Sequence, residues 1–442
     1  MARDIGYPLQ SPIDATDKLV ARAGSDRDFR QRLLAHPKET IETEFGVTLD
    51  ADHEIHVHEE SCTATHVVLP PLDRYSRAER EEARAGAGSL EFLRRTLHDP
   101  APPARVAAPE TARRRRAAAS PGALAGECRE SIRRGLTFLE STIDERGAWH
   151  CIRFNIADPA IPRHFERPPF ISALCALALE TCADERARSI RSATRRYLVS
   201  SMEYPGLWRY YRHLPADLDS TSLCSLALSR HPWIALGRNV PHMLANRDGD
   251  GLFQTWLLAE GEPDVASDFR IEADPVVNAN VIACLGCHPA TREARHWLEN
   301  KVVEDRLENA SKWYPDTISA YYAIGRAMVR AAPALEGLRP VLVERILALC
   351  DGEGGCGNLL QTSQAITALH TIGALEGVDV ARQVERFVDA QRDDGSWPEY
   401  LAFGDQSLRW GVIGQIGHGS ESVTSAFCIE ALGHMINILE GR

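Results

Sequence analysis

The sequence predicts a mainly α protein: a single α6/α6 barrel (toroid) preceded by a small N-terminal α+β domain. Three observations carry that reading. First, a short turn, usually glycine followed by an aromatic residue, recurs six times after residue 125. Its copies are Arg146-Gly147-Ala148-Trp149, Pro205-Gly206-Leu207-Trp208, Asp250-Gly251-Leu252-Phe253, Ser311-Lys312-Trp313 (no glycine), Gly354-Gly355-Cys356 (no aromatic) and Asp394-Gly395-Ser396-Trp397. Spacings of about 40 to 60 residues leave room for two helices and their loops in each repeat. Second, apolar helical stretches (170–179, 221–228, 276–285, 319–329, 359–372 and 423–439) alternate with amphipathic ones (128–143, 185–201, 240–246, 292–304, 339–350 and 380–391). Helices apolar on most faces must be covered on most faces, so the first set is expected inside the second. Third, 442 residues with 44% hydrophobic and 25% charged composition suffice for two or three domains and a sizeable core.

Before the barrel, 14–23 reads as a short helix, and Ser25-Asp26-Arg27-Asp28 opens another with N-cap chemistry. Phe29, Leu33 and Leu34 then recur at helical spacing, and a further helix over 38–45 stops at Gly46. Alternation around Ile55 and Val57, then Val67-Val68-Leu69 before Pro70-Pro71, predicts one or two strands. Residues 1–88 form this first domain. Residues 89–124, rich in Ala and Pro around Arg113-Arg114-Arg115-Arg116, read as a solvated linker, and 125–442 form the barrel.

Net charge of −12 argues against a surface built for nucleic acid. No run of about 18 apolar residues marks a membrane span, and the N-terminus lacks the apolar core of a secretory signal. The 11 cysteines, most of them in apolar segments, read as reduced, packed thiols of a cytoplasmic protein. No cofactor is expected. A calcium loop starting at Asn246 would need a glutamate where Leu257 stands, which speaks against calcium.

Candidate chemistry lies at Asp217-Leu218-Asp219-Ser220-Thr221, directly before an apolar run. Two readings stay open. Asp219 caps a helix, or two carboxyls at the mouth of a pocket split their pKa values and one serves as an acid. In a six-fold ring the inner-helix N-termini gather at one mouth. Asp274 and Asn278 of the third inner helix, Tyr321 and Tyr322 of the fourth, Gln361 of the fifth and Glu421 of the sixth are therefore expected to help bind substrate, on a polar rim shared with Tyr314, Asp316, Gln364, His164 and Arg167.

Two resemblances follow. Asp28-Phe29-Arg30-Gln31-Arg32-Leu33-Leu34-Ala35-His36-Pro37, with Glu44-Phe45-Gly46-Val47 and His66-Val67-Val68-Leu69-Pro70-Pro71, resembles the nitrile-hydratase-like leader peptides of ribosomally made, enzyme-modified peptides. That resemblance implies a modifying enzyme or transporter as partner and cleavage near Gly86-Ala87-Gly88. The run from Arg386 through Gln391 to Asp394-Gly395-Ser396-Trp397 resembles the Gln–Trp repeat of squalene–hopene cyclases, which is structural in that family. Asp217-Leu218-Asp219-Ser220-Thr221 resembles the Asp-x-Asp-Asp-Thr motif of class II terpene cyclases, with Ser220 in place of the third aspartate. It implies Asp219 as the acid that protonates an isoprenoid, supported by Asp217. Against this stand the single barrel, where the family usually pairs two, and an aromatic content of 7%. The alternatives are a barrel that binds peptide or lipid without catalysis, docked through its leader-like domain, and a zinc site drawn from Cys284, Cys287, His288, Cys350, Cys356 and His418.

Overall fold

The computed structural model describes residues 22–23, 26–45, 55–57, 120–156, 163–211, 214–258, 273–308, 310–352, 354–375, 378–405 and 416–441. The chain divides into two compact units, Met1–Phe92 and Leu93–Arg442. In the first, α1 (Arg27–Ala35) and α2 (Pro37–Phe45) pack on each other, and Asp26 caps α1 by accepting from Phe29 N at 2.9 Å. Phe29 and Leu33 form a small core with Ala23, which Ile41 and Val57 close. Residues 55–57, expected as a strand, carry no regular element, since no partner strand stands beside them among the described residues. The expected strand at 67–69, the segment 75–88 and most of the linker lie outside the described residues.

The second unit is the expected barrel. Its helices are α3 (Pro121–Thr142), α4 (Pro169–Ala178), α5 (Glu185–Ser200), α6 (Leu218–Ala227), α7 (Pro232–Ala235), α8 (Val240–Ala245), α9 (Pro275–Leu285), α10 (Arg292–Val303), α11 (Thr317–Arg330), α12 (Arg339–Ala348), α13 (Leu359–Thr371), α14 (Val380–Ala390) and α15 (Glu421–Leu439). Helix α3 begins four residues before the expected boundary, with Ser120 as cap and Pro121 at a position where a missing N–H costs nothing. Helices α4, α6, α9, α11, α13 and α15 pack in that order and close a ring from α15 back to α4. Helix α15 is apolar and long enough to cross a membrane by length and composition. It is instead an inner helix, with 78% of its most apolar window buried.

The repeated turn explains how each outer helix delivers the chain to an inner one. Trp149, Trp208 and Trp397, all fully buried, donate from the indole N–H to the carbonyls of Leu139, Leu198 and Phe387 in the preceding outer helix, at 2.8–3.2 Å. Removing such a ring would cost about 3–5 kcal/mol. At the last turn Gln391 Nε2 donates to both Ser131 O and Gly395 O at 2.9 Å, tying the end of the ring to its beginning. Gly395 has φ +91°, and a Cβ there would meet Arg134 O at 2.3 Å, so only glycine fits.

A four-stranded antiparallel sheet was not foreseen. Its order is β2 (His164–Glu166), β1 (Cys151–Asn155), β6 (Ile416–Gly419), β5 (Leu401–Asp405). The strands are short, and Gly404, Gly417 and Gly419 hide the alternation that marks a strand. A two-residue ladder pairs β3 (Ala216–Asp217) with β4 (Trp256–Leu257).

Candidate active site

Asp217, at the end of β3, is the cap of α6. One carboxylate oxygen accepts from Ser220 N at 2.6 Å and the other from Tyr210 N at 2.9 Å. The capping role considered for Asp219 therefore belongs to its neighbour. Asp219, second residue of the helix, is 8% exposed and turns elsewhere. Its Oδ1 accepts from Asn280 Nδ2 at 2.7 Å, and its Oδ2 from the Tyr314 hydroxyl at 2.6 Å. Each oxygen keeps a second lone-pair direction on which a proton can sit.

Burial pushes the Asp219 carboxyl up to about 6, against the pull of the Tyr314 and Asn280 hydrogen bonds and of the Arg326 charge. Burial also raises Asp217, to about 7, with the charge of Asp219 adding to the rise and the Ser220 and Tyr210 contacts opposing it. Beneath Asn280 lies Arg326, 3.5 Å from the Asn280 carbonyl oxygen, its guanidinium 4.8 Å from the centre of the Tyr322 ring. The Tyr322 hydroxyl donates to Glu430 at 3.2 Å, and burial lifts that carboxyl to about 8.

Asp217 and Asp219 line a cavity of about 570 Å³, within the range of small-molecule sites. Phe170, Tyr210, Tyr211, Trp256, Trp313, Tyr314 and Phe403 are among the residues that line it. The aromatic residues that seemed scarce in the composition are gathered here. The sheet closes one side and brings Arg153, Glu166 and His418 to the wall, with His418 paired to Arg153 across β1 and to Phe403 across β5. A recess of about 30 Å³ shares Tyr314 and Phe403 with the cavity and is lined by Val276, Tyr322, Leu360 and Gln364 from the inner helices.

The other expected contacts divide. Tyr322 lines the recess. Asp274 caps α9 and holds Ser311 and Lys312 N, at 2.7 and 2.8 Å, so it serves the backbone rather than the cavity. Asn278 accepts from Phe253 N and donates to Phe253 O, both at 2.9 Å, and pins the preceding turn. Tyr321, nearly fully buried, sits near Asp305 and Arg345, away from the cavity wall. Gln361 completes the capping box of α13 with Asn358, and Glu421 is ion-paired with Arg392. None of these last five lines the cavity; Asp274, Asn278 and Gln361 instead serve backbone groups at or next to their helix starts.

The zinc alternative also changes. Cys350 and Cys356 form a disulfide, a departure from the expectation of reduced thiols. Cys287 donates to Ala331 O, and His288 accepts from Ala290 N through Nδ1. Among the described residues no group of three His, Cys, Asp or Glu side chains is placed to hold a metal ion. His418 belongs to the cavity wall instead. Glu166 and Arg153 were absent from the expected set. Tyr314 was expected at the mouth as part of the fourth inner helix, and it stands there in the loop before the Asp316 cap.

No protein-family model matches the sequence, and no curated protein matches it. Solved structures do resemble it. A protein from Actinoplanes superposes with a TM-score of 0.56 at 19% identity, covering 70% of this chain and 99% of that one. An apo variant of the type II terpene cyclase MstE from Scytonema gives 0.55 at 18% identity, covering 71% and 99%. A further variant of that cyclase, in complex with geranylgeranyl dihydroxybenzoate as substrate, gives 0.54 at 17%, with the same coverage. At these identities the likeness establishes the fold, a terpene cyclase-like α/α barrel. Nearly the whole of the Scytonema cyclase is covered by 71% of this chain.

Proposed function

We propose that the protein is a class II terpene cyclase-like enzyme that protonates an isoprenoid with Asp219 and so starts its cyclisation. One observation carries this reading. A buried carboxyl, relieved of capping by Asp217, stands in the wall of an aromatic cavity with its acidity shifted to about 6. Protonating an alkene requires a neutral acid in a site poor in water, where the conjugate base is stabilised as it forms. The donors Tyr314 and Asn280 are placed for that task. The ring faces of Trp256, Trp313 and Phe403 suit a migrating carbocation. The isoprenoid substrate class is supported by the geranylgeranyl ligand of the Scytonema cyclase.

The test is incubation of wild type and Asp219→Asn with geranylgeranyl dihydroxybenzoate and with geranylgeraniol in deuterated buffer. Wild type is expected to give products of the same composition as the substrate with one deuterium incorporated. Asp219→Asn is expected to lose at least about a hundredfold in rate. Equal product yield from both proteins would remove Asp219 from the acid role.

For residues 1–88 the reading is a leader-like handle that docks a modifying enzyme or transporter of a modified-peptide pathway, and it rests on sequence resemblance alone. Deleting them should abolish capture of that partner and leave the barrel folded. Undiminished capture would count against it.

A further inference from the structure

The sheet side of the cavity differs in chemistry from the acid side. Arg153 and Glu166 pair through Arg153 Nε at 3.2 Å, and the Arg153 side chain is 41% exposed while Glu166 is buried. The opposite oxygen of Glu166 lies 3.5 Å from the Tyr210 hydroxyl and 3.4 Å from His418 Nε2. Burial pushes the Glu166 carboxyl up, but contacts with His418, Arg153 and Tyr210 outweigh it and leave the group ionised at neutral pH. Burial holds His418 below its ordinary value, so its ring is neutral. It is 8% exposed, with Nε2 facing the Glu166 carboxylate and, among the described residues, no hydrogen-bond partner at Nδ1.

The charges of Arg153 and Glu166 cancel, and the groups around them combine donors with acceptors. Among the described lining residues Arg153 is the one Lys or Arg, while Glu166, Asp217 and Asp219 are acidic. The charges of the described lining residues therefore do not favour a diphosphate. An uncharged head that both donates and accepts would meet the free edge of the Arg153 guanidinium, the Glu166 carboxylate and, after a small ring rotation, a nitrogen of His418.

We propose that Arg153, Glu166 and His418 form a head-group subsite selecting an isoprenoid with a hydroxyl or phenol head over one with a diphosphate. This rests on the cyclase reading and names its substrate class. Isoprenoid tail and polar head would then lie at different ends of one cavity, the tail toward Asp219.

Binding tests it without turnover. Geranylgeraniol, its methyl ether and geranylgeranyl diphosphate are titrated into full-length Asp219→Asn protein, following the fluorescence of Trp256 and Trp313 in the cavity wall. The alcohol is expected to bind about tenfold tighter than the ether, which cannot donate, and tighter than the diphosphate. Arg153→Met and His418→Phe, each in that background, are expected to bring alcohol and ether within about threefold of each other. Equal binding of alcohol and ether, tighter binding of the diphosphate, an unchanged preference in both variants, or no binding of any probe overturns the proposal. Turnover by wild type with no head-group preference would overturn the subsite alone. A clear preference without Asp219-dependent turnover would overturn the acid alone.

Discussion

Helices α6 and α9 both open on a buried aspartate cap, and four residues after the cap each carries a side chain that pins the preceding turn. In α6 the pair is Asp217 and Thr221, which accepts from Trp208 N; in α9 it is Asp274 and Asn278, which accepts from Phe253 N. The same spacing holds in α4, where Pro168 precedes Ser172, and in α13, where Asn358 precedes Thr362. Midway between cap and pin, the side chain faces the barrel lumen. That residue is Phe170 in α4, Val276 in α9 and Leu360 in α13, but Asp219 in α6. The comparison separates structural from chemical acids. Asp217, Asp274 and Asn278 satisfy backbone groups that any α/α turn must satisfy. Asp219 occupies a position that α4, α9 and α13 fill with hydrocarbon, which makes it the anomaly to be explained by function.

The sharpest test of that contrast sets Asp219→Asn beside Asn278→Ala. The first should abolish turnover while making the fold more stable at alkaline pH. A carboxyl raised from its usual range to about 6 contributes stability below pH 4 that is lost as pH rises through 6. Asparagine has no charge to bury, so at pH 8 the variant should be more stable by up to about 3 kcal/mol, a gap that closes by pH 4. Thermal denaturation across that range reads it directly, and a variant less stable than wild type at pH 8 would contradict the assignment. Asn278→Ala should do the reverse. It leaves Phe253 N and O without their partner inside the barrel and should cost about 1–3 kcal/mol. The products formed below its melting temperature should not change.

A smaller effect concerns pH. Because the proposed acid must carry its proton, turnover should fall along a single-proton limb centred near pH 6, flat on the acid side. A rate that instead climbs through pH 6 would make Asp219 a base.

The fold was legible because the repeat is physical. Glycine at positive φ and an indole reaching back to its own outer helix recur in the sequence as they do in space. The place of Asp219 near the inner-helix start was legible for the same reason. Its freedom from capping was not, since two acids one residue apart are equivalent as letters and only the register from cap to pin tells them apart. The pins themselves, a serine, two threonines and an asparagine, are too varied to be recognised without the turns they hold. The meeting of Arg153 and Glu166 with Phe403 and His418 was illegible because it comes through the pairing of β1 with β6, segments more than 200 residues apart, on strands of three to five residues. No local periodicity records such pairing.

The finest test of the contrast lies in what surrounds the lumen acid. Tyr314 reaches Asp219 from the loop before α11, whereas the equivalent Val276 of α9 needs no such partner. A hydroxyl that donates to a carboxylate favours its ionised form, so Tyr314 lowers the Asp219 pKa against the upward push of burial. Tyr314→Phe should therefore raise that pKa and move the falling limb of the pH profile to higher pH, by about one unit or less. At pH 5, where both proteins are protonated, the variant should be slower, because the acid is weaker and its conjugate base has lost a donor. A limb that stays in place together with an unchanged rate at pH 5 would reduce Tyr314 to a packing residue. A limb that shifts to lower pH would reverse the role assigned to its hydroxyl.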